Sequence, residues 1–243
     1  MRFTASFRIC LLVLVATVTS AVGTATAGPI ISTPRGLNPG DHFRIAFVTT
    51  DTSTATSSDI STYDNFVTMQ ADGATYNGDI ITWLAIGSTG SVSAIAHIGV
   101  TNDPVFLVDG TEVTNTDSTS GLWSGSLLHG INLDISSTPQ NVAVWTGTFA
   151  AGLPEYYYGY HFLGSSQPVT GLTDYPVATP SGWVAENLTP YPSQTFNIYG
   201  ISTDLVATSS VPEPSTAMLA GLGVIGVAIH TCQRRRVSAA TIV

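Results

Sequence analysis

The chain has 243 residues, with seven arginines, no lysine and sixteen acidic residues, for a formal net charge of −9 with histidine neutral. That balance excludes nucleic acid as a partner, because its recognition depends on cations that neutralise phosphates. The two cysteines, Cys10 and Cys232, lie near the two ends. Thiol catalysis, zinc–thiolate sites and iron–sulfur clusters are thereby excluded from the body between them.

The first predicted element is an export signal. Arg2 and Arg8 supply a positive start, Ile9 to Val18 an apolar stretch, and Ala25-Thr26-Ala27 a small-residue cleavage pattern. Gly28 is the expected first residue of the mature chain. The stretch 28–208 is then expected to form one extracytoplasmic domain, long enough to bury a sizeable core. Through residue 210 it carries fifteen acidic side chains against Arg35 and Arg44, a net of −13. Such a surface repels anionic polymers unless a divalent ion bridges them, whereas a neutral glycan feels no penalty.

Within the domain, His42 to Thr50 (HFRIAFVTT) alternates Phe43, Ile45 and Phe47 on one face and reads as a strand. Asp59 to Ala71 steps through Ile60, Tyr63, Val67 and Ala71 at helical spacing, with Ser58 or Asp59 as N-cap and Gly73 as terminator. Ile80 to Ile86, around Trp83, reads as a buried strand. Pro104 to Val108 and Thr111 to Thr114 flank Asp109-Gly110, a hairpin signal for a type I′ turn. Asn141 to Phe149 and Gln194 to Ile201 complete the expected sheet. One or two helices near the amino end followed by antiparallel strands predict an α+β domain, with an all-β sandwich as the alternative.

Glu155-Tyr156-Tyr157-Tyr158-Gly159-Tyr160-His161 is the densest run with binding chemistry. Tyrosine rings stack on the apolar faces of sugars while their hydroxyls bond polar rims. Tyr156, Tyr158, His161 and Trp183 are therefore candidates for a glycan-facing surface. The competing reading is an ordinary strand, half buried on both faces. The histidines at 42, 97, 129 and 161 show no ligand-like spacing, and no hydrolase or phosphate-loop motif occurs, so no catalytic residue is assigned. Gly221-Leu222-Gly223-Val224-Ile225-Gly226 matches a dinucleotide fingerprint by letters alone, since it lies in an apolar tail and not in a βαβ unit. Neither cofactor nor metal is expected.

The carboxyl end is the most informative segment. Val211-Pro212-Glu213-Pro214-Ser215 precedes an uncharged stretch, and Arg234, Arg235 and Arg236 follow it. Thr216 to Cys232 would make a helix of about 25 Å at ~1.5 Å per residue. That barely matches a hydrocarbon core of about 30 Å. The arginines would stay on the cytoplasmic side and leave the domain outside the cytoplasm. This tail, residues 209–243, resembles the PEP-CTERM sorting signal of Gram-negative bacteria: a Pro-Glu-Pro motif, one membrane-spanning helix and a basic cluster in that order. The resemblance implies Sec-dependent export, an inner-membrane intermediate and processing by an exosortase near Pro212 to Pro214. It further implies delivery to the cell surface or to an extracellular, biofilm matrix.

A second resemblance concerns the domain. The ordered motifs Trp83-Leu84-Ala85, Leu122-Trp123-Ser124-Gly125, Val144-Trp145-Thr146-Gly147-Thr148, Leu163-Gly164 and Gly182-Trp183 are similar to the endostatin-like branch of the C-type-lectin-like fold. A calcium-dependent sugar site does not come with it. Glu186-Asn187 lacks the proline that such sites place beside the acidic residue. The expectation is a non-catalytic surface or matrix protein, with exopolysaccharide as a candidate partner. The alternatives are a secreted hydrolase acting on polysaccharides or esters, and a matrix component without a specific ligand.

Overall fold

A computed structural model describes residues 28–99, 102–114, 121–124, 127–149, 151–154, 161–173, 182–186 and 190–208. The elements are β1 (Ile30–Ile31), β2 (His42–Val48), β3 (Ser53–Thr54), α1 (Ile60–Gln70), β4 (Thr75–Tyr76), β5 (Asp79–Ile80), β6 (Trp83–Ala85) and α2 (Ala94–Ile98). They continue with β7 (Val105–Leu107), a 3₁₀ turn at Gly121–Ser124, β8 (Ala143–Trp145), β9 (Thr170–Leu172), β10 (Thr195–Ser202) and β11 (Leu205–Val206). The expected signal peptide and the expected membrane helix lie outside the described residues. Among those described, no helix is long and apolar enough to cross a membrane.

β2 is apolar at nearly every position because both of its faces are covered. Phe43, Ile45 and Phe47 point into one core with Tyr63 and Val67 of α1, while Ala46 and Val48 point into a second core with Leu107, Trp123 and Trp183. Side chains alternate across a strand, so a fully buried strand must have two covered faces. β2 pairs antiparallel with β10, whose Gly200 stands opposite Phe47 on one edge and Ala85 of β6 on the other. A Cβ at Gly200 would collide with Phe47 and Val67. The bare backbone there is what lets α1 settle on the sheet.

The larger sheet is mixed, which corrects the antiparallel expectation. β7 runs parallel to β2 and β8 parallel to β10, while β9 and β11 pair antiparallel. Long crossovers separate β2 from β7 and β8 from β10, and such connections permit parallel pairing. The all-β sandwich does not hold either, since α1 covers one face. α1 itself follows the sequence: Asp59 caps it by accepting the Ser61 amide at 3.0 Å, and Tyr63 and Val67 are its buried residues.

Two turns exchange roles relative to expectation. Asp109 does not take a positive φ, and Gly110 does (87°). Gly110 donates to the Leu107 carbonyl while the Leu107 amide donates to Thr111, a type I turn closed by a glycine bulge. The two-residue type I′ hairpin is instead at Asn77-Gly78, with φ of 53° and 90°, joining β4 to β5. The strand expected over Ile80 to Ile86 is itself broken at Ile81 and Thr82, between β5 and β6. Ile80 ends the small sheet β1–β4–β5, and the chain crosses to begin β6 at Trp83.

Candidate functional site

The last described residues leave the domain under tight restraint. β11 holds Val206 opposite His42, and the Ala207 amide donates to the Asp41 carbonyl at 2.8 Å. The Tyr76 hydroxyl donates to the Val206 carbonyl at 3.1 Å, accepts the Thr208 amide at 3.3 Å and meets Thr33 Oγ1 at 2.8 Å. Thr208 Oγ1 also donates to Asn77 Oδ1 at 3.2 Å. One buried tyrosine thus ties the segment after β1 to the segment after β11. Val211, where the sorting motif begins, is three residues beyond Thr208.

Beside this exit lies a groove of about 320 Å³ lined by Tyr76, Asn77, Asp79, Ile80, Asp204 and Val206, among others. His42 Nδ1 donates to Asp204 Oδ2 at 2.7 Å across its rim, and that bond, followed by the Asp204 charge, raises the imidazole pKa. Of the two arginines in the domain, Arg44 is buried, donates from Nη1 to the Ile98 carbonyl at 2.9 Å and has its pKa lowered by burial. Arg35 is exposed. The domain therefore offers an anionic ligand very little.

The four candidate ligand-binding residues fare differently. Trp183 is only 4% exposed; it packs between Trp123 and Tyr199, with ring centroids 5.9 and 6.0 Å away. Its indole is part of the core and does not line a surface, which corrects that assignment. His161 is half-buried at the edge of the tyrosine run, with Nδ1 bonded to the Gln167 carbonyl at 2.7 Å. A carbonyl only accepts, so Nδ1 is the donor in this bond. Tyr156 and Tyr158 lie outside the described residues, as do Val211 to Ser215 and Arg234 to Arg236.

The structure also brings together a pair with no linear signal. His97 Nε2 of α2 bonds Asp64 Oδ1 of α1 at 2.9 Å, and the same oxygen accepts the Ala85 amide at 2.7 Å. Their side chains are 15% and 20% exposed. Ala85 sits on β6, whose inner edge bonds β10, so Asp64 satisfies the outward amide of an edge strand and clasps the two helices around it. Thirty-three residues separate the partners, and nothing in the spacing forecasts their meeting. Among the described residues, no group of three His, Cys, Asp or Glu is placed to hold a metal ion.

Comparison with known proteins bears on the tail. Residues 210–236 match the model of the PEP-CTERM protein-sorting motif. No curated protein matches the chain. The matched segment starts two residues after Thr208, the last described residue. The chain carries a sorting signal that directs export through the membrane to the cell surface or the extracellular space, with exosortase as the implied processing enzyme.

Proposed function

We propose that the domain delivered by this signal is a non-catalytic, glycan-binding module of the cell surface or extracellular matrix, with a C-type-lectin-like, endostatin-like architecture. Cleavage occurs near Pro212 to Pro214, after the Thr216 to Cys232 segment has halted in the lipid with Arg234 to Arg236 inward. The fold reading is supported by the burial of all four tryptophans around which the resemblance is built. The binding reading is carried by His161, which directly follows the tyrosine run in sequence: its ring is oriented through the Gln167 carbonyl at a half-buried position. The ligand class is a neutral exopolysaccharide, since a domain with this charge repels polyanions. Tyr156→Ala and Tyr158→Ala weaken binding on a polysaccharide array while leaving the melting temperature unchanged. Equal binding by the variants and the parent chain removes the proposal.

A second reading, a secreted hydrolase, has one observation in its favour, the carboxylate-oriented imidazole of His97. It is the weaker reading, because among the described residues no hydroxyl is bonded to the other nitrogen of that ring. Turnover of glycoside or ester substrates that disappears in His97→Gln would reverse the order of the two.

A further inference from the structure

The sheet β1–β4–β5 leaves an apolar row uncovered beside the point where the tail departs. Ile30 and Ile80 stand on either side of Thr75 in register, so their side chains share one face, and they are 78% and 76% exposed. Val206, also exposed, lines the same groove as Ile80. Isolated exposed isoleucines are common, but two that flank one threonine, with exposed Val206 near them at one end of a domain, mark a surface fit to be covered.

The length of chain that follows identifies the cover. From Thr208 to Thr216, the start of the expected span, there are eight residues, which reach at most about 28 Å when fully extended. A domain of this length is roughly 40 Å across. The leash is too short for the far end of the domain, where β2 gives way to Thr49 and Asp134 sits under Thr50, to turn towards the bilayer. The end carrying Ile30, Ile80 and Val206 is the one that can. We infer that, while the chain is tethered, this face rests on the lipid surface with its aliphatic side chains among the headgroups, as apolar side chains at an interface do. The inference rests on the tether proposed above. Asp79 and Asp204 share the groove, so the face suits zwitterionic rather than anionic lipid.

The test uses the signal-cleaved chain, from Gly28 through the tail, carrying Cys232→Ser and reconstituted in phosphatidylcholine vesicles that contain a spin-labelled acyl chain. A fluorophore is placed on Thr82→Cys in the groove, or on Ser136→Cys at the far end. Severalfold stronger quenching at position 82 is expected. Ile30→Asp combined with Ile80→Asp should abolish that excess, and Tyr191→Asp, an equally exposed position at the far end, should not. Replacing half of the lipid with phosphatidylglycerol should reduce the excess. Retention of the chain with equal quenching at both positions overturns the footing alone, as does protection of position 82 that persists in lipid-free detergent. Loss of the chain from carbonate-washed vesicles overturns the tether and the footing with it.

Discussion

The two faces of the central sheet are both buried, yet they are built in different ways. On the α1 side, ordered aromatics meet edge to face, with Phe47 on Trp83 at 4.9 Å and Trp145 on Phe196 at 4.8 Å. Most of the polar edges there find partners: Trp145 Nε1 donates to the Ser53 carbonyl at 3.0 Å and Tyr63 Oη to the Ser57 carbonyl at 2.8 Å, while Trp83 Nε1 has none among the described residues. On the opposite side a short helix and irregular segments supply the cover. Trp183 Nε1 and Tyr199 Oη are buried there without a partner. A regular helix supplies one periodic stripe that the sheet can match, whereas cover assembled from loops must fit the sheet piece by piece.

The largest expected effect separates the two tryptophans. Trp145→Ala removes a fully buried ring and orphans the Ser53 carbonyl, and should cost about 3–5 kcal/mol in urea-induced unfolding. Trp183→Ala should cost less, because its indole N–H has no partner among the described residues and the irregular cover can relax into the space. Equal losses would mean that the two sides are packed alike.

The same division decided what the sequence could reveal. α1 was legible because Ile60, Tyr63 and Val67 recur at helical steps within one segment, with Asp59 at the cap. β2, β7, β8 and β10 are all legible as strands, but the parallel pairing is not, since pairing of Arg44 with Val105 or Asn197 with Val144 depends on crossovers that no local pattern encodes. The loop-built core draws Leu107, Trp123, Ile131 and Trp183 from separate segments, so Trp183 read as a surface aromatic. The Asn77-Gly78 turn was a local signal that went unread. The sorting tail was readable for the opposite reason: a protease and a bilayer act on linear order, so no tertiary contact has to be inferred.

A sharper and smaller contrast comes from one hydroxyl on each side. Burial pushes the Tyr63 phenol up to about 12, and raises the Tyr199 phenol still more strongly. Tyr63→Phe breaks a bond to Ser57 and should destabilise by about 1 kcal/mol. Tyr199→Phe removes a buried group that has no partner and should leave stability unchanged or raise it by up to ~1 kcal/mol. The denaturant midpoint should fall in Tyr63→Phe and hold or rise in Tyr199→Phe. A clear loss in Tyr199→Phe would show that its hydroxyl is satisfied, and would erase the difference between the two hydroxyls.

The smallest effect lies where neither face is at stake, at the exposed pair that joins the start of β2 to the bend before β11. His42 and Asp204 keep 53% and 42% of their side-chain surface, so solvent and salt screen them. Because the bond to Asp204 raises the imidazole pKa, the folded chain holds that proton more tightly than the unfolded one. The stabilisation is complete below the unfolded value of about 6.5 and is lost as the pH rises through the folded value. Asp204→Asn should therefore lower the melting temperature slightly at about pH 5.5 and leave it unchanged at about pH 8.5, with the difference fading in high salt. A larger drop on the alkaline side would reverse the sign of the linkage. It would show that Asp204 holds the tail exit through contacts other than the imidazolium.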